Sequence, residues 1–208
     1  MDERARKIVD ILKKTYPNTK YYLTFSTPLQ LLVATILSAQ CRDNRVNSVT
    51  DELFKKYATA QDFTKLDEND ISAITFFRNK AKYIREACQI VLDKFQGQVP
   101  QTMDELAQLP GVGRKTANAI LINAFGKTVG IVVDTHVIRV SYRLGLTKHK
   151  DPVKIERDLM HALPQNDWNI YTWLMKDHGR AACPAPIPYC SRCVLFDLCP
   201  KQGVTKKL

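Results

Sequence analysis

Leu109-Pro110-Gly111-Val112-Gly113-Arg114-Lys115-Thr116-Ala117 is the stretch that decides the reading of this 208-residue chain. A helical pattern ends near Leu109, and a second runs from about Arg114 to Phe125 before Gly126. Two glycines in a tight turn leave backbone amides uncovered, and the next helix begins with N–H groups that have no partner of their own. With the helix dipole they make a cradle for an anionic oxygen, and Arg114 and Lys115 add mobile positive charge. Gly-x-Gly alone would describe an ordinary turn. Helix, Gly-x-Gly hairpin and helix together form the more specific helix-hairpin-helix element, and the spacing is not that of a nucleotide-binding P-loop.

Outward from this hairpin the chain reads as all-helical, with no strand alternation long enough for a sheet. Thr27-Pro28 opens a helix with Leu29, Leu32, Val33, Ile36 and Leu37 on one face. Val46, Val49, Leu53, Phe54 and Tyr57 repeat the spacing, as do Ile84, Ala87, Cys88, Val91, Leu92 and Phe95, with Gly97 as the expected C-terminal cap. Thr102-Met103-Asp104-Glu105 is a capping box. Further helices are expected from Asp134 to Leu144, after Asp151-Pro152, and from Trp168 to Met175.

Hydrophobic residues at 45% and charged residues at 25% fit a globular chain, and eight Gly with ten Pro exclude collagen-like and low-complexity classes. The longest apolar run, Leu29 to Ala39, is interrupted by Gln30, Thr35 and Ser38 and is too short to span a bilayer. The opening MDERARKIVD does not read as a signal peptide, so a cytoplasmic protein with no membrane partner is expected. Lys and Arg total 31 against 21 Asp and Glu, a formal charge of +10 that favours a polyanion such as nucleic acid.

Two more segments carry chemistry. In Val132-Val133-Asp134-Thr135-His136-Val137-Ile138-Arg139, Asp134 stands at a helix start, where an N-cap is the plain reading. His136 reads equally as a surface residue, a core histidine or a probe of base pairs. Cys183, Cys190, Cys193 and Cys199 follow the spacing Cys-x6-Cys-x2-Cys-x5-Cys in a Pro-punctuated segment. In a reducing cytosol such a group is expected to hold metal, and the thiols alone leave zinc and [4Fe–4S] both open. Cys41 and Cys88 read as small buried hydrophobes.

Taken in this order, the three segments resemble the endonuclease III family of base-excision DNA glycosylases. The resemblance runs from Leu37-Ser38-Ala39-Gln40 through Cys199. It implies two all-α lobes with a DNA-binding cleft between them: residues 22–129 as a six-helix lobe, and residues 1–21 with 130–208 as an iron–sulfur lobe. It implies a bifunctional glycosylase and abasic-site lyase acting on oxidised pyrimidines in double-stranded DNA. Lys115 is then the nucleophile, and Asp134 stabilises the positive sugar and assists proton transfer. A free lysine, with a pKa of ~10.4, must first lose its proton; the helix start, Arg114 and partial burial are expected to favour this.

The same resemblance places Gln40, Phe76 and His136 at the gap left by an extruded nucleotide, and Gly111, Gly113 and Arg114 on a DNA phosphate. It makes the four cysteines ligands of a [4Fe–4S] cluster. A monomer associated with DNA in the nucleoid is expected. Thr75 departs from the glycine usual before the wedge, and Pro184 to Tyr189 lacks the usual basic residue, for which Arg180 or Arg192 is the candidate replacement. A thymine-mismatch glycosylase and a non-catalytic iron–sulfur DNA-binding protein are the alternatives. Lys115 and Asp134 together argue against the second.

Overall fold

The computed structural model describes residues 2–208; Met1, the first residue of the expected iron–sulfur lobe, lies outside the described residues. The helices are α1 (Glu3–Thr15), α2 (Pro28–Ser38), α3 (Asp43–Lys56), α4 (Ala60–Phe63), α5 (Phe77–Phe95), α6 (Met103–Leu106), α7 (Arg114–Phe125), α8 (Thr135–Arg143), α9 (Pro152–Ala162) and α10 (Trp168–Ala181). No strand occurs among the described residues, as the all-α reading requires. The chain divides into two compact units: Tyr22–Lys127, and the residues up to Tyr21 together with Thr128–Leu208.

In the first unit α2 is the central element, packed on α3, α5 and α7. All of Leu31 to Leu37 is buried, which is why this helix is apolar nearly all round and not along one stripe. Thr35, the polar exception, donates its hydroxyl to the Leu32 carbonyl at 2.8 Å. Thr27 accepts from the Gln30 amide and Pro28 fills the first helical position, as read from the sequence. Phe63 of α4 stacks on Tyr57 and meets Phe54 edge-on.

Three local expectations change. The cap of α5 is Gln96, in left-handed backbone at φ 53°, with Gly97 one place further on. At Thr102 the hydroxyl takes the Glu105 amide, but the Glu105 carboxylate bonds that hydroxyl instead of the capping amide, and α6 makes only four residues. Cys88 is buried as expected, whereas Cys41 is only half-buried, since it lies in the loop after α2.

In the second unit Ala5, Ile8, Val9 and Leu12 of α1 pack into a core with Val137 and Val140 of α8, Ile155 and Leu159 of α9, and Tyr171, Leu174 and Met175 of α10. Each fully buried Leu or Ile contributes about 1.5–3 kcal/mol relative to exposure. Arg4 ties α1 to chain segments far along the sequence, donating to the carbonyls of Leu144 (2.7 Å), Gly145 (3.2 Å) and Leu198 (3.2 Å). Helix α10 continues past Met175 to Ala181. The apolar pattern stops earlier because the buried face there is made by His178 and Gly179.

Candidate active site and cysteine cluster

The hairpin between α6 and α7 is anchored by buried Leu109 and Val112, and the Val112 amide donates to the Leu109 carbonyl at 3.0 Å to close the turn. Its two glycines serve different ends. Gly111 lies at φ +79°, and a Cβ there would stand 3.2 Å from Tyr83 Cβ and 3.3 Å from Ile36 Cγ2, so it seats the hairpin on α2 and α5. Gly113 is extended, with nothing within 4 Å of a Cβ position, and is the N-cap of α7 with no side-chain cap. The first intrahelical bond is Ala117 N–H to Gly113 O at 2.9 Å. The amides of Lys115 and Thr116 therefore head an open helix end. Lys115 stands on that first turn, exposed and not partly buried as expected.

Gln40 and Phe76 are placed alike. Gln40 follows α2 at φ 52°, and Phe76 precedes α5 at φ 57°; both are exposed, Phe76 by 60%. A bulky residue in left-handed backbone costs about 1–3 kcal/mol, so it persists only where its surroundings hold it. A core role for Phe76 is thereby excluded. Between the two loops lies Lys80, 4% exposed, whose Nζ donates to Leu37 O at 2.8 Å and Ala39 O at 2.5 Å. Burial pulls its ammonium below the ordinary lysine range.

Asp134 caps α8 as its position suggested. Its Oδ1 accepts from the amides of His136 and Val137, both at 2.8 Å, which leaves Oδ2 available as an acceptor. His136 is half-buried, with Nδ1 3.2 Å from the Arg139 guanidinium. Because Arg only donates, Nδ1 accepts and the ring proton sits on Nε2. Burial pulls His136 below the usual imidazole range; Asp134 opposes this, while Arg139, Arg180 and Lys176 reinforce it.

The four cysteines of the predicted quartet border one small cavity together with Val140, Arg143, Leu144 and His178. Donors converge on the sulfurs. Arg143 Nη1 lies 3.2 Å from Cys183 Sγ, and the Leu195 and Lys201 amides lie 3.4 Å from the sulfurs of Cys193 and Cys199. Burial pushes the thiols of Cys193 and Cys199 up, and those amides oppose it. Arg143 also donates to the carbonyls of Cys183, Pro184 and Pro186, so a single side chain shapes the start of the loop. His178, pulled to about 4 by burial, links the Tyr16 hydroxyl (3.2 Å from Nδ1) to Cys193 Sγ (3.6 Å from Nε2). Arg192 lies 4.3 Å over the ring of Tyr189, the last residue of the Pro184–Tyr189 stretch that carries no basic residue of its own.

Lys80, Arg139, Arg143, His178 and Gly179 were not singled out from the sequence. Only His178 and Gly179 carry a local signal, the polar run that ends α10. Lys115 with the hairpin and Gln40 with Phe76 belong to the first unit, and Asp134, His136 and the cysteines to the second.

Residues 33–165 match the family model of the HhH-GPD superfamily base excision DNA repair proteins. Endonuclease III of Synechocystis sp. is 52% identical over 202 residues, covering 95% of this chain and 92% of that one. Endonuclease III of Bacillus subtilis is 40% identical over 210 residues, covering 96% and 95%. The solved structure of a trapped endonuclease III–DNA covalent intermediate matches with a TM-score of 0.91 and 42% identity, over 97% of this chain and 96% of that one. The chain belongs to the HhH-GPD superfamily of base excision DNA repair proteins, and within it to the endonuclease III family. It is a DNA glycosylase with abasic-site lyase activity.

Proposed function

We propose that this enzyme excises oxidised pyrimidines from duplex DNA and cleaves the abasic site through a Schiff base on Lys115. The observation that carries this reading is the exposed Lys115 on the first turn of α7, beside open amides and Gly113. A phosphate held by those amides brings the adjacent deoxyribose to the lysine. The neutral amine attacks C1′ as the glycosidic bond breaks, and the base departs with the bonding pair and a proton. Ring opening gives the Schiff base, which acidifies the C2′ proton; its removal expels the 3′ phosphate by β-elimination. Asp134 acts through Oδ2, stabilising positive charge on the sugar and receiving protons, while Oδ1 remains in the cap of α8. Gln40, Phe76 and His136 serve the gap in the duplex left by the extruded nucleotide.

The four cysteines are read as ligands of a [4Fe–4S] cluster. They border one cavity, and donors are aimed at three of their sulfurs. When bound, the cluster supplies a structural cross-link for the loop. Among the described residues no helix is long and apolar enough to cross a membrane.

Borohydride trapping on duplex DNA holding thymine glycol or an abasic site tests the nucleophile. Wild type is expected to form a covalent adduct and Lys115→Gln none; an adduct with Lys115→Gln overturns the assignment. Purified protein is expected to be yellow-brown with about four irons per chain. A colourless zinc protein overturns the cluster.

A further inference from the structure

We infer that Lys80 is a positioning residue that locks Gln40 and Phe76 into one rigid pair, so that the two side chains enter the duplex together. The inference rests on the gap-filling reading of those two residues given above.

Both residues stand in left-handed backbone at the end of a helix, exposed, where nothing in their own side chains holds them. Lys80 is bonded to both loops. Its ammonium takes the carbonyls of Leu37 and Ala39, on either side of Ser38, while its backbone amide makes the first helical bond of α5, to Phe76 O at 3.1 Å, so the side chain that grips the Gln40 loop is anchored one turn from Phe76. The ammonium also meets the negative end of the α2 dipole. A buried cation is a costly way to fill space, since an apolar chain of similar volume packs there without loss of solvation. Its use is the geometry that it imposes, because only a multiple donor satisfies two carbonyls of a helix end that turns sharply into Gln40.

The same two helices seat the hairpin. Gly111 rests on Ile36 of α2, next to Leu37, and on Tyr83 of α5, one turn beyond Lys80. A slip of α2 against α5 would displace Gln40 and Phe76 relative to the hairpin that carries Lys115. Misplacement by an ångström is enough to cost about 100-fold in rate.

The test compares excision of thymine glycol from paired duplex with strand cleavage at an abasic site in single-stranded DNA, where no base pair has to open. Lys80→Met keeps the volume and removes the donors. Its ratio of duplex to single-strand single-turnover rates is expected to fall about tenfold relative to wild type. In a Gln40→Ala/Phe76→Ala background the same change is expected to add little, because the pair it holds is gone. An unchanged ratio overturns the inference, as does equal slowing on both substrates, the mark of general damage. A full Lys80→Met effect in the doubly substituted background overturns the inference alone. If Gln40→Ala/Phe76→Ala leaves the ratio at the wild-type value, the gap-filling reading fails, and the inference with it. Should Lys80→Met not fold, Lys80→Gln, which retains a shorter donor, carries the same comparison.

Discussion

Gly179 of α10 lies against His136 of α8 so closely that a Cβ on it would stand 2.7 Å from Nδ1, and 2.9 Å from Nη2 of Arg139. Hydrogen at this one position allows the two helices to approach with the imidazole and guanidinium between them. Arg139 Nη2 also donates to the Gly179 carbonyl at 3.1 Å. Gly179→Ala is therefore expected to destabilise the protein by about 1–3 kcal/mol, read from the urea unfolding midpoint.

Burial gives His136 a lower pKa folded than unfolded, where 6.5 is the ordinary value. The unfolded chain thus takes up the proton first as pH falls. The stability that neutral His136 allows is complete above pH 6.5 and is lost as pH falls from there toward the depressed folded value. Asp134 favours the charged ring, whereas Arg139 of α8 and Lys176 and Arg180 of α10 oppose it. His136→Gln is expected to lose less thermal stability than wild type between pH 7.5 and pH 5.5, by differential scanning calorimetry at about those two values.

Asp134 has a structural duty that can be separated from its chemistry. Asparagine retains a cap oxygen for the amides of His136 and Val137, whereas alanine loses it. Asp134→Ala is expected to cost about 1 kcal/mol of stability and Asp134→Asn much less. Both are expected to lose excision, since neither carries a carboxylate. Calorimetry and single-turnover assays on the same samples separate the two effects.

The hairpin glycines should respond oppositely. Gly111→Ala forces a Cβ into left-handed backbone and against Tyr83 and Ile36, for a loss of about 1–3 kcal/mol in chemical denaturation. Gly113→Ala meets no neighbour, so stability is expected to change by only a few tenths of a kcal/mol. Its methyl group would stand at the helix end that a phosphate must approach, and duplex affinity in a titration at fixed salt is expected to weaken.

Features governed by neighbours in sequence were readable before any coordinates. The Thr27-Pro28 cap, the Gly111–Gly113 hairpin, the Asp134 cap and the cysteine quartet depend on spacings of a few residues, and each stands where its pattern placed it. What escaped depends on approach between distant segments. Lys80 reads as one of many lysines until α2 brings two carbonyls to it, and Gly179 as a weak spot in a helix until His136 arrives. The left-handed turns at Gln40 and Phe76 escaped for a related reason: neither position carries the glycine that advertises such backbone. The exposure of Lys115 is of the same kind, for no local pattern states how deep a helix end will lie.

Arg4 and the apolar stripe of α1 have a consequence for biosynthesis. This helix is synthesised long before the carbonyls of Leu144 and Leu198 and the side chains of Tyr171 and Leu174 that receive it. While residues 22–127 gather their own core, Ile8, Val9 and Leu12 wait uncovered, so the nascent chain carries a sticky leading segment through most of its synthesis. Synthesis of α10, rather than of α1, sets the moment at which that half of the enzyme can close.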